Sequence, residues 1–210
     1  MPTTRPGKIW TALLEGNARF IAGEPQHPHQ DVTRRESVAG GQEPVVAIFG
    51  CSDSRLAAEI IFDLGLGDAF VIRNAGQVVS GSVLGSLEYA VAVLHIPLIL
   101  VLGHDSCGAV ASAIASQAAD AEPLPPHIAD LIAPIVPAVH RVTGPGAVDP
   151  RVVDASAVGR EHLRDTVSEL LARSEIIASA VAENTLGIVG ANYRLAEGRA
   201  VPDVVVGLSD

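Results

Sequence analysis

The chain has 210 residues and a formal net charge of -10, with 14 Lys and Arg against 24 Asp and Glu. That balance excludes a surface made to grip phosphate backbones, which needs clustered basic side chains, so no nucleic-acid partner is expected. Hydrophobic residues reach 48% but aromatics only 3%, so the core must come from Ala, Val, Ile and Leu, a composition suited to helices packed closely on a buried sheet.

Met1 to Arg5 carry no apolar leader, and no run approaches a membrane span, so no membrane partner is expected. Ile9 to Ala22 places Trp10, Leu13, Leu14, Phe20 and Ile21 near one helical face, and Gly23 supplies a stop. Glu24 to Glu43 is polar and reads as an extended arm, either wrapping a neighbour or lying as a surface loop. Val45 to Phe49 is the first core strand, Leu56 to Leu64 a helix, and Ala69 to Ile72 the second strand. Ser82 to Leu94 is helical, with Leu84, Leu87, Val91 and Leu94 on one side. Leu98 to Leu102 is the third strand, and Ala109 opens another helix. Glu122 to Pro150 is crowded with proline and carries one short helix, His127 to Arg141, interrupted by Pro134 and Pro137. Arg160 to Ala182 reads as a single helix, Leu186 to Tyr193 as the last clear strand, and Gly198 as a turn before Val204 to Val206.

Strands alternating with helices predict an α/β fold: a mainly parallel central sheet flanked by helices, with an N-terminal helical arm and a C-terminal helix-strand extension. No repeat or convincing boundary divides the chain, so residues 1–210 are read as one domain. Within it, 1–43 form the N-terminal helix and arm and 118–157 the Pro-rich excursion.

Both cysteines fall just beyond a strand. Gly50-Cys51-Ser52-Asp53-Ser54-Arg55 follows the first, and Gly103-His104-Asp105-Ser106-Cys107-Gly108 follows the third. Ligands of a parallel α/β sheet gather beyond the carboxyl ends of its strands, so the two segments can meet there. Cys51, His104 and Cys107 form a nitrogen-and-sulfur set suited to zinc. Asp53 is either a fourth ligand that closes the site or a partner of Arg55, whose planar fork would hold it off the metal. A buried cysteine after a strand is by itself usually a packing residue; it is the combination that points to a metal. Two thiols make one disulfide at most, and a reduced, cytoplasmic setting is expected.

These two motifs resemble the signature of the β-class carbonic anhydrases. The similarity extends from Asn17-Ala18-Arg19-Phe20 through Arg73-Asn74-Ala75-Gly76 and Glu88-Tyr89-Ala90 to the closing strand, and is weakest in the Pro-rich excursion. The resemblance implies one zinc ion per subunit on Cys51, His104 and Cys107. It implies an Asp53–Arg55 dyad in which Asp53 accepts a hydrogen bond from zinc-bound hydroxide or water, or swings onto zinc in a closed form. It further implies that Gln42 hydrogen-bonds substrate or bicarbonate across a subunit interface, and that Phe70, Ala75, Gly76 and Tyr89 line an apolar CO2 pocket, although Phe70 and Tyr89 also suit ordinary core packing. The implied activity is zinc-dependent reversible hydration of carbon dioxide to bicarbonate and a proton, in a homodimer or homotetramer with active sites at the dimer interface. A zinc hydrolase acting on a related small molecule such as carbon disulfide, and a closed structural zinc in a scaffold, are the competing readings. His27, His29, His95, His127, His140 and His162 have no assigned role and are expected to be surface or packing residues.

Overall fold

The computed structural model describes residues 5–208. The leader-free reading of Met1 to Thr4 lies outside the described residues. Helix α1 (Pro6–Ala22) starts with proline in its first turn and ends on Gly23, whose φ of 72° lets its N–H reach back to Arg19 and Phe20 carbonyls. After it come α2 (Val32–Ser37), β1 (Val46–Cys51), α3 (Ala58–Ile61), β2 (Ala69–Asn74), α4 (Gly81–Ala92), β3 (Leu98–His104) and α5 (Gly108–Ala115). The remainder is α6 (Pro126–Ile132), a 3-10 turn (Ala133–Ile135), α7 (Val136–Thr143), α8 (Ala155–Arg173), α9 (Glu175–Ala182), β4 (Gly187–Arg194) and β5 (Arg199–Val206).

The strands form a sheet in the order β2-β1-β3-β4-β5, parallel except for the antiparallel β4–β5 pair. Every residue of β1 and β3 is buried, as continuous apolar runs covered by helices on both faces should be. Strand alternation divides their side chains between two clusters. Val46, Ile48, Leu98, Leu100 and Leu102 pack with Ile9, Trp10 and Leu13 of α1 and with α5 and α7. Ala47, Phe49, Ile99 and Val101 pack with Val83, Leu84 and Leu87 of α4 and Leu163, Val167 and Leu170 of α8. The predicted α/β class and mainly parallel sheet are therefore what the chain forms.

Several expected elements differ in detail. Leu56 to Leu64 is helical only at α3, because Ala57 remains extended at φ -83°, ψ 90°. The expected single helix from Arg160 to Ala182 begins earlier and breaks at Ser174, which is extended and uses its hydroxyl to cap Ile177 N–H at the start of α9. The excursion's helix is three pieces, with Pro134 and Pro137 each seated in the first turn of one, where a missing N–H costs nothing. Strand β5 runs through Pro202, and the register slips by one residue opposite Gly190 and Ala191; an edge strand tolerates both.

The segment read as an extended arm lies on the surface of its own chain, as the loop alternative has it, but is not extended throughout: it carries α2, whose N-cap Asp31 accepts from Arg34 N–H. Asp63 fastens it, accepting from Arg19 Nε at 2.7 Å and from the Gln26 and His27 N–H groups at 2.9 Å each. Asp68 fastens it again through His29 and Arg34. Burial raises the carboxyl pKa of Asp63, but those three donors outweigh it and hold it below the ordinary value.

Candidate metal centre and its surroundings

Cys51 is the last residue of β1 and His104 the last of β3, and the two strands are neighbours in parallel. Cys107 is the residue before α5. Ser106, at φ 51°, bends the chain sharply enough for one short loop to deliver both His104 and Cys107. The three side-chain donors lie within 4.8 Å of one another, and all three residues are buried. The paired strand ends thus achieve what their positions in the sequence predicted.

The histidine is aimed. His104 Nδ1 lies 2.8 Å from the Asp105 carbonyl, which can only accept, so Nδ1 carries the proton and Nε2 presents a lone pair. Among the described residues no hydrogen-bond partner reaches that buried Nε2. A buried nitrogen without a partner, facing two free thiols, fits a metal ion rather than a packing role. Cys107 beside it, with lesser help from His104 and the Gly76 and Asp53 N–H groups, holds the Cys51 thiol down at about 4 against the cost of burial. Cys51 and burial push the Cys107 thiol up. For His104, burial opposes charge, but Cys51, the Asp105 carbonyl and Asp53 prevail and raise its pKa.

Asp53 stands beside this cluster without joining it. Its Oδ2 is 4.0 Å from His104 Nε2, while Arg55 grips both carboxylate oxygens, at 2.9 Å and 2.7 Å. Arg55 N–H adds a third bond at 2.9 Å, and its Nη2 reaches the Ser106 carbonyl at 3.3 Å. The Arg55 guanidinium holds the Asp53 carboxyl well below the usual carboxylate range.

The loop that carries Asp53 is itself pinned by a residue that carried no assigned role in the sequence. Arg73, near the end of β2, donates to the Cys51 carbonyl at 2.9 Å and to the Asp53 carbonyl at 2.7 Å. Its position directly after the expected second strand, Ala69 to Ile72, on this sheet edge was the available signal. Asn74 closes the next turn on itself, exchanging side-chain bonds with the N–H and carbonyl of Val78.

The five residues expected to handle substrate are not gathered by one chain. Gly76 reaches the centre, its N–H lying 3.3 Å from Cys51 Sγ, and Ala75 is exposed beside it. Phe70 packs on Tyr89 with ring centroids 6.2 Å apart. Phe70 adjoins the second core cluster, Tyr89 is 46% exposed, and Cys51 and Cys107 belong to the first. Gln42 is exposed ahead of β1, at the end of the strand remote from Cys51.

A parallel sheet with a Cys–His–Cys cluster and an adjoining Asp–Arg pair at its carboxyl edge is the arrangement of a carbonic anhydrase. A profile of the carbonic anhydrase family matches residues 46–200. Carbonic anhydrase 2 of Mycobacterium tuberculosis is 50% identical over 204 residues, covering 96% of this chain and 94% of that protein. The carbonic anhydrase of Mycolicibacterium smegmatis is 48% identical over 200 residues, covering 95% and 94%. Among solved structures, a tetrameric β-carbonic anhydrase of Sordaria macrospora superposes with a TM-score of 0.70 at 25% identity, covering 95% of this chain and 98% of that one. The chain belongs to the carbonic anhydrase family and is an enzyme of that kind, with the β-class fold.

Proposed function

We propose that the protein catalyses the reversible hydration of carbon dioxide to bicarbonate and a proton, with zinc held by Cys51, His104 and Cys107. The observation that carries this reading is Asp53: a carboxylate held by Arg55 with one oxygen 4.0 Å from the unpartnered His104 Nε2. Three donors with a restrained carboxylate alongside suit a catalytic zinc, whereas a structural zinc takes four closed ligands. Zinc, when bound, supplies a Lewis acid that makes water a nucleophile near neutral pH.

The chain's own residues supply orientation. Asp53, ionised and acceptor-only, takes a hydrogen bond from the attacking oxygen and turns its lone pair toward the CO2 carbon. Arg55 keeps the carboxylate in place and keeps it from closing the site. Gly76 presents an N–H to Cys51 Sγ, a donor that steadies this ligand. The released proton leaves to buffer.

A homodimer or homotetramer completes the site. What supports this is the exposed position of Gln42, Tyr89 and the β2 edge: an unpaired edge strand is a natural pairing surface, and Gln42 serves the neighbouring subunit's site rather than its own. The Sordaria relative is tetrameric. Thiolate ligands also call for a reducing compartment, so the cytoplasm is the proposed location.

The test is turnover of CO2 against CS2 by zinc-loaded protein. Rapid CO2 hydration, lost in Asp53→Ala with zinc retained, supports the assignment. Turnover of CS2 alone assigns a hydrolase, and turnover of neither, with zinc bound, assigns a structural site.

A further inference from the structure

His162, expected to be a surface or packing residue, is 3% exposed in the middle of α8. Its Nε2 lies 2.7 Å from the Gly76 carbonyl. A carbonyl only accepts, so Nε2 must carry the proton, and Nδ1 is left as a bare lone pair. Among the described residues nothing donates to it. A buried acceptor without a partner is a standing cost, which a leucine or phenylalanine of similar volume would avoid. The histidine is therefore explained by its one bond, to Gly76.

Gly76 is also the residue whose N–H meets Cys51 Sγ at 3.3 Å. Its φ is 81°, and a Cβ there would meet Ala109 Cβ at 2.8 Å, so only glycine brings the backbone this close. One helical turn along α8, Thr166 bonds the His162 carbonyl at 2.9 Å and approaches the Gln77 carbonyl at 3.5 Å. Gln77 is itself at φ 41°, in a region that non-glycine residues rarely occupy. Two residues of one helix face thus adjoin consecutive carbonyls of the turn that aims an amide at the thiol. Burial lowers the His162 pKa and so disfavours the charged ring.

We propose that His162 is a positioning residue for the metal centre: through the Gly76 peptide it holds an N–H on the Cys51 sulfur and so sets the electron donation and orientation of that ligand. Such outer partners tune both the affinity and the electronics of the ions they surround. The proposal rests on the reading of Cys51 as a metal thiolate.

Cobalt-loaded wild type checks that foundation first: thiolate-to-cobalt charge-transfer absorption must be present, and its absence overturns the metal reading itself. Given that band, His162→Leu is expected to lower zinc affinity, measured by chelator competition, by about 10- to 100-fold, and to shift the charge-transfer band. His162→Gln, which can still donate to Gly76, is expected to restore most of both. Wild-type affinity and an unmoved band in His162→Leu overturn the proposal while leaving the zinc site intact. If the leucine variant does not fold, NMR of the cadmium-loaded wild type decides. Scalar coupling between cadmium and the Gly76 amide proton, together with an Nε2–H tautomer at His162, supports the relay. A missing coupling or an Nδ1–H tautomer overturns it.

Discussion

Arg55 reaches back two residues to take both carboxylate oxygens of Asp53, Nε on Oδ1 at 2.9 Å and Nη2 on Oδ2 at 2.7 Å, beside a histidine nitrogen that has no other partner among the described residues. The pairing needs a planar fork, and a lysine offers only a point charge. Arg55→Lys should therefore retain zinc but lose much of its turnover, with Asp53 freer to close on the metal. Asp53→Ala should retain zinc and lower kcat/KM by about 100-fold or more, the scale of a lost proton-handling group. Metal analysis alongside steady-state kinetics checks both; full activity in Asp53→Ala would contradict the assignment.

Asp63 ties the arm to the body of the protein through the Gln26 and His27 N–H groups. Replacing Asp63 with Ala strands the Gln26 and His27 N–H groups and Arg19, and should destabilise the protein by about 2 kcal/mol, within the range for buried groups left unsatisfied. Urea unfolding measures it. The pH dependence has a definite sign. The folded-state pKa of Asp63 lies below its ordinary 3.8, so its contribution is present above that value and fades as pH falls below it. Wild type should lose stability below pH 3.8 faster than Asp63→Asn does.

Gly76→Ala should be costly at two levels. The positive φ and the 2.8 Å approach to Ala109 Cβ predict about 1–3 kcal/mol of destabilisation from backbone strain alone. Because the strained peptide carries the N–H that meets Cys51, zinc affinity should fall as well. Thermal melts with and without excess zinc separate the effects: a simple packing defect would lower both curves equally.

Much of this was legible in the sequence, and for physical reasons. β1 and β3 are continuous apolar runs because helices cover both faces, and each closes on a glycine and a residue that could ligate a metal, Gly50-Cys51 and Gly103-His104. Zinc-type ligands are few and chemically distinct, so their positions at strand ends sufficed to predict the cluster. What escaped notice depended on single caps and on contacts distant along the chain. Ser174 breaks a helix that has no glycine or proline to announce it. Asp31 starts a helical turn in a segment too polar to show periodicity. His162 meets Gly76 across 86 residues, and no local pattern encodes that meeting.

Subunit pairing offers a separate test. Tyr89→Asp puts a charge on an exposed aromatic against Phe70, at the edge proposed to face a second copy. Sedimentation should show a shift toward monomer, and turnover should fall with assembly because Gln42 no longer reaches its neighbour's site. An Asp53-intact monomer with full activity would remove Gln42 and the interface from the account.

The central claim is best tested by stopped-flow CO2 hydration with zinc-loaded protein, scanned from about pH 6 to 9 around the range where zinc-bound water ionises. The account predicts substantial turnover that rises with pH and disappears when zinc is removed. No hydration anywhere in that range, with zinc confirmed on Cys51, His104 and Cys107, would contradict it.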